Sequence, residues 1–182
     1  MTNAPQDPAL APWKRLREDL AGYFAARARG LLAPGLALAR RDGEGFGRLR
    51  VHGPEGAKIE AGDVRATIVG AGPSRHRMLA DGVEILVAET AGSANALEVR
   101  CGGRVYEVRL DLLHNAAVAR SPGGLKSARV AGGLTNRSYE ASFDTGDEGS
   151  LPVAFFLLYR LVALRRRAFL TGAGGAKLRA RR

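Results

Sequence analysis

Short runs of alternating apolar and polar residues, separated by glycine-rich turns, fill the chain from residue 36 to residue 143. In the run from Leu97 to Cys101, for example, every second side chain is apolar and the intervening ones are charged. Alternation with a period of two is typical of strands that bury one face and expose the other. The pattern predicts about eleven strands, at residues 36–41, 46–52, 57–60, 64–69, 77–80, 84–89, 96–101, 105–110, 116–120, 128–131 and 138–143.

Several connections between these runs carry the chemistry of tight hairpins. The pairs Asp42-Gly43, Asp81-Gly82 and Gly102-Gly103 supply residues that accept a positive φ. Two-residue hairpin turns need such residues because their twist must match that of the strands. Consecutive strands are therefore predicted to pair antiparallel.

A different pattern precedes the strands. Between residues 12 and 29, apolar side chains recur at three- and four-residue intervals, and charged side chains occupy the other positions. The apolar set is Trp13, Leu16, Leu20, Tyr23 and Phe24, and the charged set includes Lys14, Arg15, Arg17, Glu18 and Arg27. This spacing predicts an amphipathic helix over residues 12–29 whose apolar face packs on the rest of the domain.

The segment from Leu151 to Leu164 is apolar on all sides, with Arg160 as its only charged residue. A bilayer span needs about 20 apolar residues, so this segment is too short to be one. A helix without a polar face has to be enclosed, and a closed sheet supplies walls all round it. The expected position of Arg160 is either at a barrel mouth or beside a buried carboxylate.

Together these elements predict a mainly β (α+β) fold: a closed antiparallel β-barrel of about 12 strands around a hydrophobic C-terminal helix, with an amphipathic helix at the N-terminus. The expected organisation is an N-terminal arm and helix at 1–34, and a barrel at 35–170 that includes the central helix 151–168. A Gly-rich, basic tail at 171–182 is expected to be disordered. At 182 residues the chain suits one cohesive domain.

The formal charge of +10 is concentrated at the two ends of the chain. Residues 1–50 carry 9 Lys and Arg against 5 Asp and Glu, residues 51–150 carry 11 against 13, and residues 151–182 carry 8 against none. Such ends favour phosphate-bearing partners, either an anionic lipid surface or nucleic acid. An Arg-rich composition without a functional role is the competing interpretation.

The end of the chain resembles a known family. A strand over residues 138–144 passes through the acidic pair Asp147-Glu148 into the apolar helix 152–164, as in the tubby-like superfamily, which includes the LURP-one-related and phospholipid scramblase-like proteins. The resemblance implies a twelve-stranded barrel threaded by its last helix. It also implies a non-enzymatic binding or scaffold module, since tubby proteins bind phosphoinositide headgroups through basic surface residues. No specific lipid-binding motif of that family aligns with this chain.

Two clusters are candidate anion sites. Arg165, Arg166 and Arg167 follow the apolar helix and mark its expected exit from the barrel, where they complement the helix dipole. Arg75, His76 and Arg77 follow Ser74 on a glycine-led turn and resemble, at a distance, the phosphopeptide loop of forkhead-associated domains. That module, and a nucleic-acid accessory protein that uses the basic tail, are the alternatives to lipid binding; a protein partner is a further possibility.

Little in the sequence indicates reaction chemistry. The histidines at 52, 76 and 114 lack metal-ligand spacing, and Cys101 is the single cysteine. No cofactor, metal or catalytic constellation is predicted, although an enzyme with its pocket at the barrel mouth remains an alternative. The N-terminus shows no secretory signal, so the expected location is cytoplasmic, and peripheral at the inner membrane surface if the protein binds lipid.

Overall fold

A computed structural model describes residues 8–29, 35–72, 74–133, 135 and 137–179. A short 3-10 turn, Pro8–Leu10, leads into helix α1, Ala11–Leu20. Over these residues twelve strands follow, and helix α2, Ser150–Arg179, ends the described chain. The strands are β1 Tyr23–Ala28, β2 Gly35–Ala39, β3 Gly45–Val51, β4 Gly56–Ala61, β5 Val64–Gly70, β6 Arg75–Ala80, β7 Val83–Ala91, β8 Ser93–Cys101, β9 Arg104–Asp111, β10 Ala116–Arg120, β11 Lys126–Gly132 and β12 Ser138–Phe143.

The strands form one closed barrel. Each pairs antiparallel with the strand next to it in sequence, and β1 closes the barrel by pairing with β12. In that closing pair Tyr23 lies opposite Ser142 and Arg27 opposite Ser138. Closure removes exposed strand edges. The predicted fold class is thereby confirmed, as are the eleven predicted strands, with small changes at their ends.

The predicted helix over residues 12–29 is wrong in its second half. Helix α1 ends at Leu20, where Ala21 and Gly22 adopt positive φ angles of 48° and 82° and reverse the chain. The following residues form β1, which buries Phe24 and Ala26 against the interior. A short apolar run fits the spacing of a helix as well as that of a strand. Here the run forms β1, the twelfth strand of the barrel, which closes it by pairing with β12. The barrel therefore begins at Tyr23, before the predicted boundary at residue 35; residues 1–7 and 30–34 of the predicted arm lie outside the described residues.

Helix α2 runs through the barrel, as its composition predicts. From Leu151 to Tyr159, the apolar side chains that form part of the core are fully buried. The ring of Phe155 stacks on Phe24 of β1 with centroids 4.8 Å apart and meets Trp13 of α1 edge-on at 5.7 Å. Enclosure by the sheet thus supplies the apolar surroundings that the helix needs.

Helix α1 covers the end of the barrel at which α2 begins. Its apolar residues Trp13, Leu16 and Leu20 are buried, which confirms the predicted packing on the domain. Arg17, expected on the polar face, is only 5% exposed because its guanidinium donates to the backbone oxygen of Asp147 at 3.2 Å. This end of the barrel is therefore closed by both apolar and polar contacts.

The loop before α2 is held by Asp147. Its carboxylate accepts hydrogen bonds from the Tyr106 hydroxyl at 2.7 Å and from the Gly149 backbone N–H at 3.1 Å. Ser150, the first residue of α2, donates its hydroxyl to the backbone oxygens of Asp144 and Asp147. Acidic loop residues hold the helix start, but through contacts that the sequence does not specify.

The predicted disorder of the tail is not what the described residues show. The backbone of α2 remains helical through Arg179, so the segment 171–179 continues the helix. Extending an existing helix adds one hydrogen bond for each residue fixed, without the cost of a new nucleus. Residues 180–182 lie outside the described residues.

Candidate functional site

Arg160 lies where α2 leaves the barrel. It is 8% exposed, Leu164, Arg165 and Arg166 are half-buried, and Arg167 is exposed. The helix therefore passes from the barrel interior to solvent over about two turns. This end of the barrel, opposite α1, is the mouth.

The guanidinium of Arg160 is buried without a counterion among the described residues. One of its terminal nitrogens lies 3.3 Å from Nε2 of His76, and its Nε atom has no hydrogen-bond partner within the described structure. No carboxylate of the described residues forms an ion pair with it. Burial consequently lowers the pKa of Arg160, while the neighbouring Tyr159 acts in the opposite direction. Of the two predicted positions for Arg160, the structure shows the barrel mouth.

His76 is the neutral neighbour of this guanidinium. Its ring is 5% exposed, and Nε2 also lies 3.3 Å from the backbone oxygen of Pro54. That oxygen accepts a hydrogen bond from the Tyr159 hydroxyl at 2.6 Å, while Nδ1 of His76 has no partner in the described chain. Burial first, and the charge of Arg160 second, lower the pKa of His76 below its ordinary value of 6.5.

This lowered pKa predicts that the barrel loses stability in mild acid. Below pH 6.5 the unfolded chain protonates His76 while the folded protein keeps it neutral, so the free energy of unfolding falls as the pH drops from 7 toward the folded pKa. The slope from one proton is at most about 1.4 kcal/mol per pH unit. Urea unfolding between pH 7.5 and 5 should show a shallower slope in His76→Gln and an unchanged one in His52→Gln, an exposed control. Equal slopes in wild type and His76→Gln would contradict the assignment.

A cleft of about 810 Å³ opens at the mouth, and we call it the mouth cleft. Arg160 and Arg167 of α2 line it, turns between strands contribute Glu55 and Ser74, and His76 and Ser93 come from the starts of β6 and β8. Glu55 makes no ion pair with Arg160. The cleft thus combines two guanidiniums with hydroxyl donors.

The predicted Ser74–Arg77 cluster does not converge. Residues 75–77 belong to β6, and successive strand side chains point to opposite faces. His76 faces inward, while Arg75 and Arg77 face outward and pair with Glu89 at 3.4 Å and Glu84 at 3.5 Å. Arg75 and Arg77 are therefore ion-paired wall residues, which removes the premise of a phosphopeptide loop.

The arginine triplet is also divided. Arg167 lines the mouth cleft, whereas Arg165 and Arg166 lie near Tyr139 of β12, where their charges oppose the rise that burial causes in the pKa of that phenol. Successive helix residues are turned by about 100°, so three adjacent side chains cannot share one site. The triplet marks the helix exit, as predicted, but it does not form one anion site.

The outer wall of β1 to β5 carries a second group of cations that the sequence analysis missed. Strand register places Arg27, Ala37, Arg48, Glu60 and Arg65 in one row across the five strands. The next row contains Gly35, Arg50, Lys58 and Thr67. We call Arg27, Arg48, Arg50, Lys58 and Arg65 the basic wall; its cations are exposed to solvent.

A groove of about 720 Å³ lies in the basic wall. Strand β2 points only Gly35, Ala37 and Ala39 outward, so its small side chains form a low floor beside the arginines of β3. Arg29, Arg48, Arg50 and Arg65 line this groove. The groove therefore offers cationic donors around a shallow depression.

Among the described residues that line the groove, Glu60 is the one acidic residue. It pairs with Arg48, and that hydrogen bond is the main cause of its lowered pKa, to which the charges of Arg48, Arg50 and Arg65 add. One carboxylate cannot neutralise the surrounding cations, and neither Arg50 nor Lys58 forms an ion pair with a described residue. The wall keeps a local positive excess.

On the outer wall of β6 to β8, by contrast, the arginines are paired with acidic residues. Arg75, Arg77 and Arg100 each lie within 3.5 Å of a glutamate. Lys58 and Arg65 of the basic wall belong to residues 51–150, and a charge total over that segment hides them because it contains slightly more acids than bases. The alternations Arg48-Leu49-Arg50 and Lys58-Ile59-Glu60 were the available signal, but only strand register brings them together.

Within the described residues, neither helix combines the length and apolarity that a membrane crossing requires. The part of the chain that the structure describes contains no group of three or more His, Cys, Asp or Glu side chains placed to hold a metal ion.

Comparison with known proteins defines the fold class. No protein-family model matches the chain, and no curated protein matches it. Among solved structures, the X-ray structure of a protein from Arabidopsis thaliana is similar with a TM-score of 0.52 and 10% sequence identity, covering 80% of this chain and 91% of that one. At this identity the likeness concerns the fold alone: a barrel of this architecture recurs in a solved protein with little shared sequence.

Proposed function

We propose that the protein is a non-enzymatic binding module whose basic wall contacts the phosphate headgroups of an anionic lipid surface. The observation that carries the proposal is the two adjacent rows of β1 to β5, which place five cations and one carboxylate on the same outer face. Three of these cations, Arg48, Arg50 and Arg65, line a shallow groove. The tubby-like pattern at the end of the chain supports the same class of protein. Three of the five cations belong to the basic segment 1–50 that the sequence favours, and none belongs to the segment 151–182.

The chemistry of the groove suits binding. Guanidinium and ammonium groups donate to phosphate oxygens, and arginine can do so with two parallel hydrogen bonds. The described lining residues include no Ser, Cys, Thr or His, so none of them forms a nucleophile–base pair. Glu60 is held by Arg48 and stays ionised as pH falls below the range usual for glutamate.

A wall of separate cations implies modest affinity that depends on salt. Each Lys or Arg near an anionic bilayer contributes about 1 kcal/mol, and the attraction decays over about 10 Å at 0.1 M salt. Losing two such contacts lowers the partition coefficient on the order of 30-fold, and reversing their charge lowers it further. Binding should therefore weaken as salt is raised.

The test is vesicle co-sedimentation with charge-reversal variants. Arg50→Glu combined with Lys58→Glu changes two cross-strand neighbours of the basic wall. The matched control is Arg109→Glu with Arg129→Glu, two exposed arginines that both lie opposite Val118 on the far wall and produce the same change in net charge. We expect the wall variant to lose at least 30-fold in binding to vesicles containing phosphatidylserine, and the control to lose less than threefold.

Equal losses in the two double variants would contradict a localised wall site, since total charge would then decide the binding. Equal binding of wild type to acidic and neutral vesicles would contradict the proposal altogether. Tighter binding to duplex DNA than to acidic vesicles, lost on removal of residues 171–182, would instead assign the basic tail to nucleic acid.

A further inference from the structure

The mouth cleft contains a buried cation that folding alone does not explain. Arg160 keeps 8% of its surface exposed and has no carboxylate partner among the described residues, and its Nε atom makes no hydrogen bond. Removing a guanidinium from water costs several kcal/mol unless a counterion compensates. An apolar side chain at this position would continue the pattern of the helix, so the arginine opposes stability.

Several residues around Arg160 have side chains that can donate hydrogen bonds. His76 lies beside it with an unpartnered Nδ1 atom in the described structure, and Ser74 and Ser93 line the same cleft. Arg167 lies on the same side of α2, seven residues or about 10 Å farther along the axis. Glu55 is the acidic lining residue and leaves Arg160 unpaired.

Two glycines in the connections between strands leave open space at the mouth cleft. Gly72 and Gly92 have positive φ angles of 96° and 76°, and a Cβ atom added at either would meet nothing within 4 Å. These glycines line the cleft beside Ser74 and Ser93, so open space adjoins these residues. A group with several acceptor oxygens can enter without displacing backbone.

We infer that the mouth cleft binds a phosphate group, which enters beside Arg160 and supplies the counterion that this guanidinium lacks. Phosphate fits better than a carboxylate because it offers three terminal oxygens to side chains that come from α2, β6, β8 and the turn before β6. The phosphate belongs either to free phosphate, to a small soluble monoester or to a lipid headgroup. The inference uses none of the residues of the basic wall and stands independently of the proposed function.

The experiment follows the Arg160 side chain directly in the full-length protein. The Nε–H resonance of Arg160, assigned by its loss in Arg160→Met, is monitored by 1H–15N NMR during three titrations at constant ionic strength with chloride as reference. The probes are inorganic phosphate, glycerol 3-phosphate, and vesicles containing phosphatidic acid. We expect at least one phosphate probe to shift or broaden this resonance saturably, while chloride does not.

The three probes separate the possible sources. Tighter binding of glycerol 3-phosphate than of inorganic phosphate assigns the cleft to a monoester, comparable affinities assign it to free phosphate, and a response to vesicles alone assigns it to a lipid headgroup. Each of these results supports a phosphate site. No response of the Arg160 resonance to any of the three would overturn the inference.

Thermal unfolding provides a second measurement. In phosphate-free buffer Arg160→Met should melt at the same temperature as wild type or higher, because a buried unpaired charge has been replaced by an apolar side chain of similar length. The active probe should raise the melting temperature of wild type and of the control Arg129→Met, and affinity should fall at least tenfold in Arg160→Met. Equal stabilisation of Arg160→Met and wild type would refute the site. If Arg160→Met does not fold, Arg160→Lys supplies the assignment of the Nε–H resonance and the wild-type NMR titration decides.

Discussion

Replacing Phe155 with alanine is expected to lower the free energy of unfolding by about 3 to 5 kcal/mol, the largest effect that we predict for a single residue. The Phe155 ring is fully buried, stacked on Phe24 at 4.8 Å and edge-on to Trp13 at 5.7 Å. These three rings come from α2, β1 and α1. The cavity would open where the first and last parts of the chain meet, and closed-barrel walls cannot collapse into it easily.

Urea unfolding followed by tryptophan fluorescence suits this test, because Trp13 is the single tryptophan and lies against Phe155. The control is Leu125→Ala, whose side chain is largely exposed at 75% and should change stability by less than about 0.5 kcal/mol. A loss below about 1 kcal/mol for Phe155→Ala would be incompatible with an enclosed α2.

The second large effect is expected for Asp147→Ala, at about 3 kcal/mol. Asp147 accepts from the Tyr106 hydroxyl at 2.7 Å and from Gly149 at 3.1 Å, and it pairs with Arg104 at 3.3 Å. The Arg104 side chain is about half exposed, so solvent screens that ion pair, and most of the loss comes from the two buried hydrogen bonds. Tyr106 is fully buried, and its hydroxyl would be left without an acceptor.

A double-mutant cycle separates this contribution from general loop damage. Asp147→Ala should cost less in a Tyr106→Phe background, because the hydroxyl that needs the carboxylate is then absent. Asp111→Ala is the matched control, since that carboxylate bonds His114 at an exposed site and its loss should cost much less than the loss of Asp147. Comparable losses for Asp147→Ala and Asp111→Ala would contradict the proposed role of Asp147.

The sequence predicted the barrel core because the constraint on α2 is strong. A fourteen-residue apolar run is too short to span a bilayer and too apolar to lie on a surface, so enclosure was the remaining solution. By contrast, β1 was mistaken for helix because Phe24 fits both the helical spacing of Trp13, Leu16 and Leu20 and the strand alternation with Ala26. Pairing with β12 selects the strand over the helix, and the paired residues of β12 lie more than a hundred positions away in the sequence.

The sequence indicates more of the mouth cleft than of the basic wall. Arg160 was identifiable as a charge within an apolar helix, but its neighbours His76 and Ser93 come from separate strands and turns. The basic wall was invisible to charge counting because Arg27 and Lys58 lie in segments of different net charge. Local alternation gives the face on which each side chain lies, whereas register gives its neighbours, and register depends on the whole barrel.

Paramagnetic mapping of the membrane-facing surface tests the proposed lipid contact most directly. Acidic vesicles that carry a spin label on a fraction of their headgroups broaden the amide signals of residues close to the bilayer. We expect the strongest broadening in β2 to β4, centred on Ala37, Arg48 and Lys58. Broadening centred instead on Val118 and its neighbours in β9 to β11, or no broadening with acidic vesicles, would contradict the proposal that the basic wall faces the membrane.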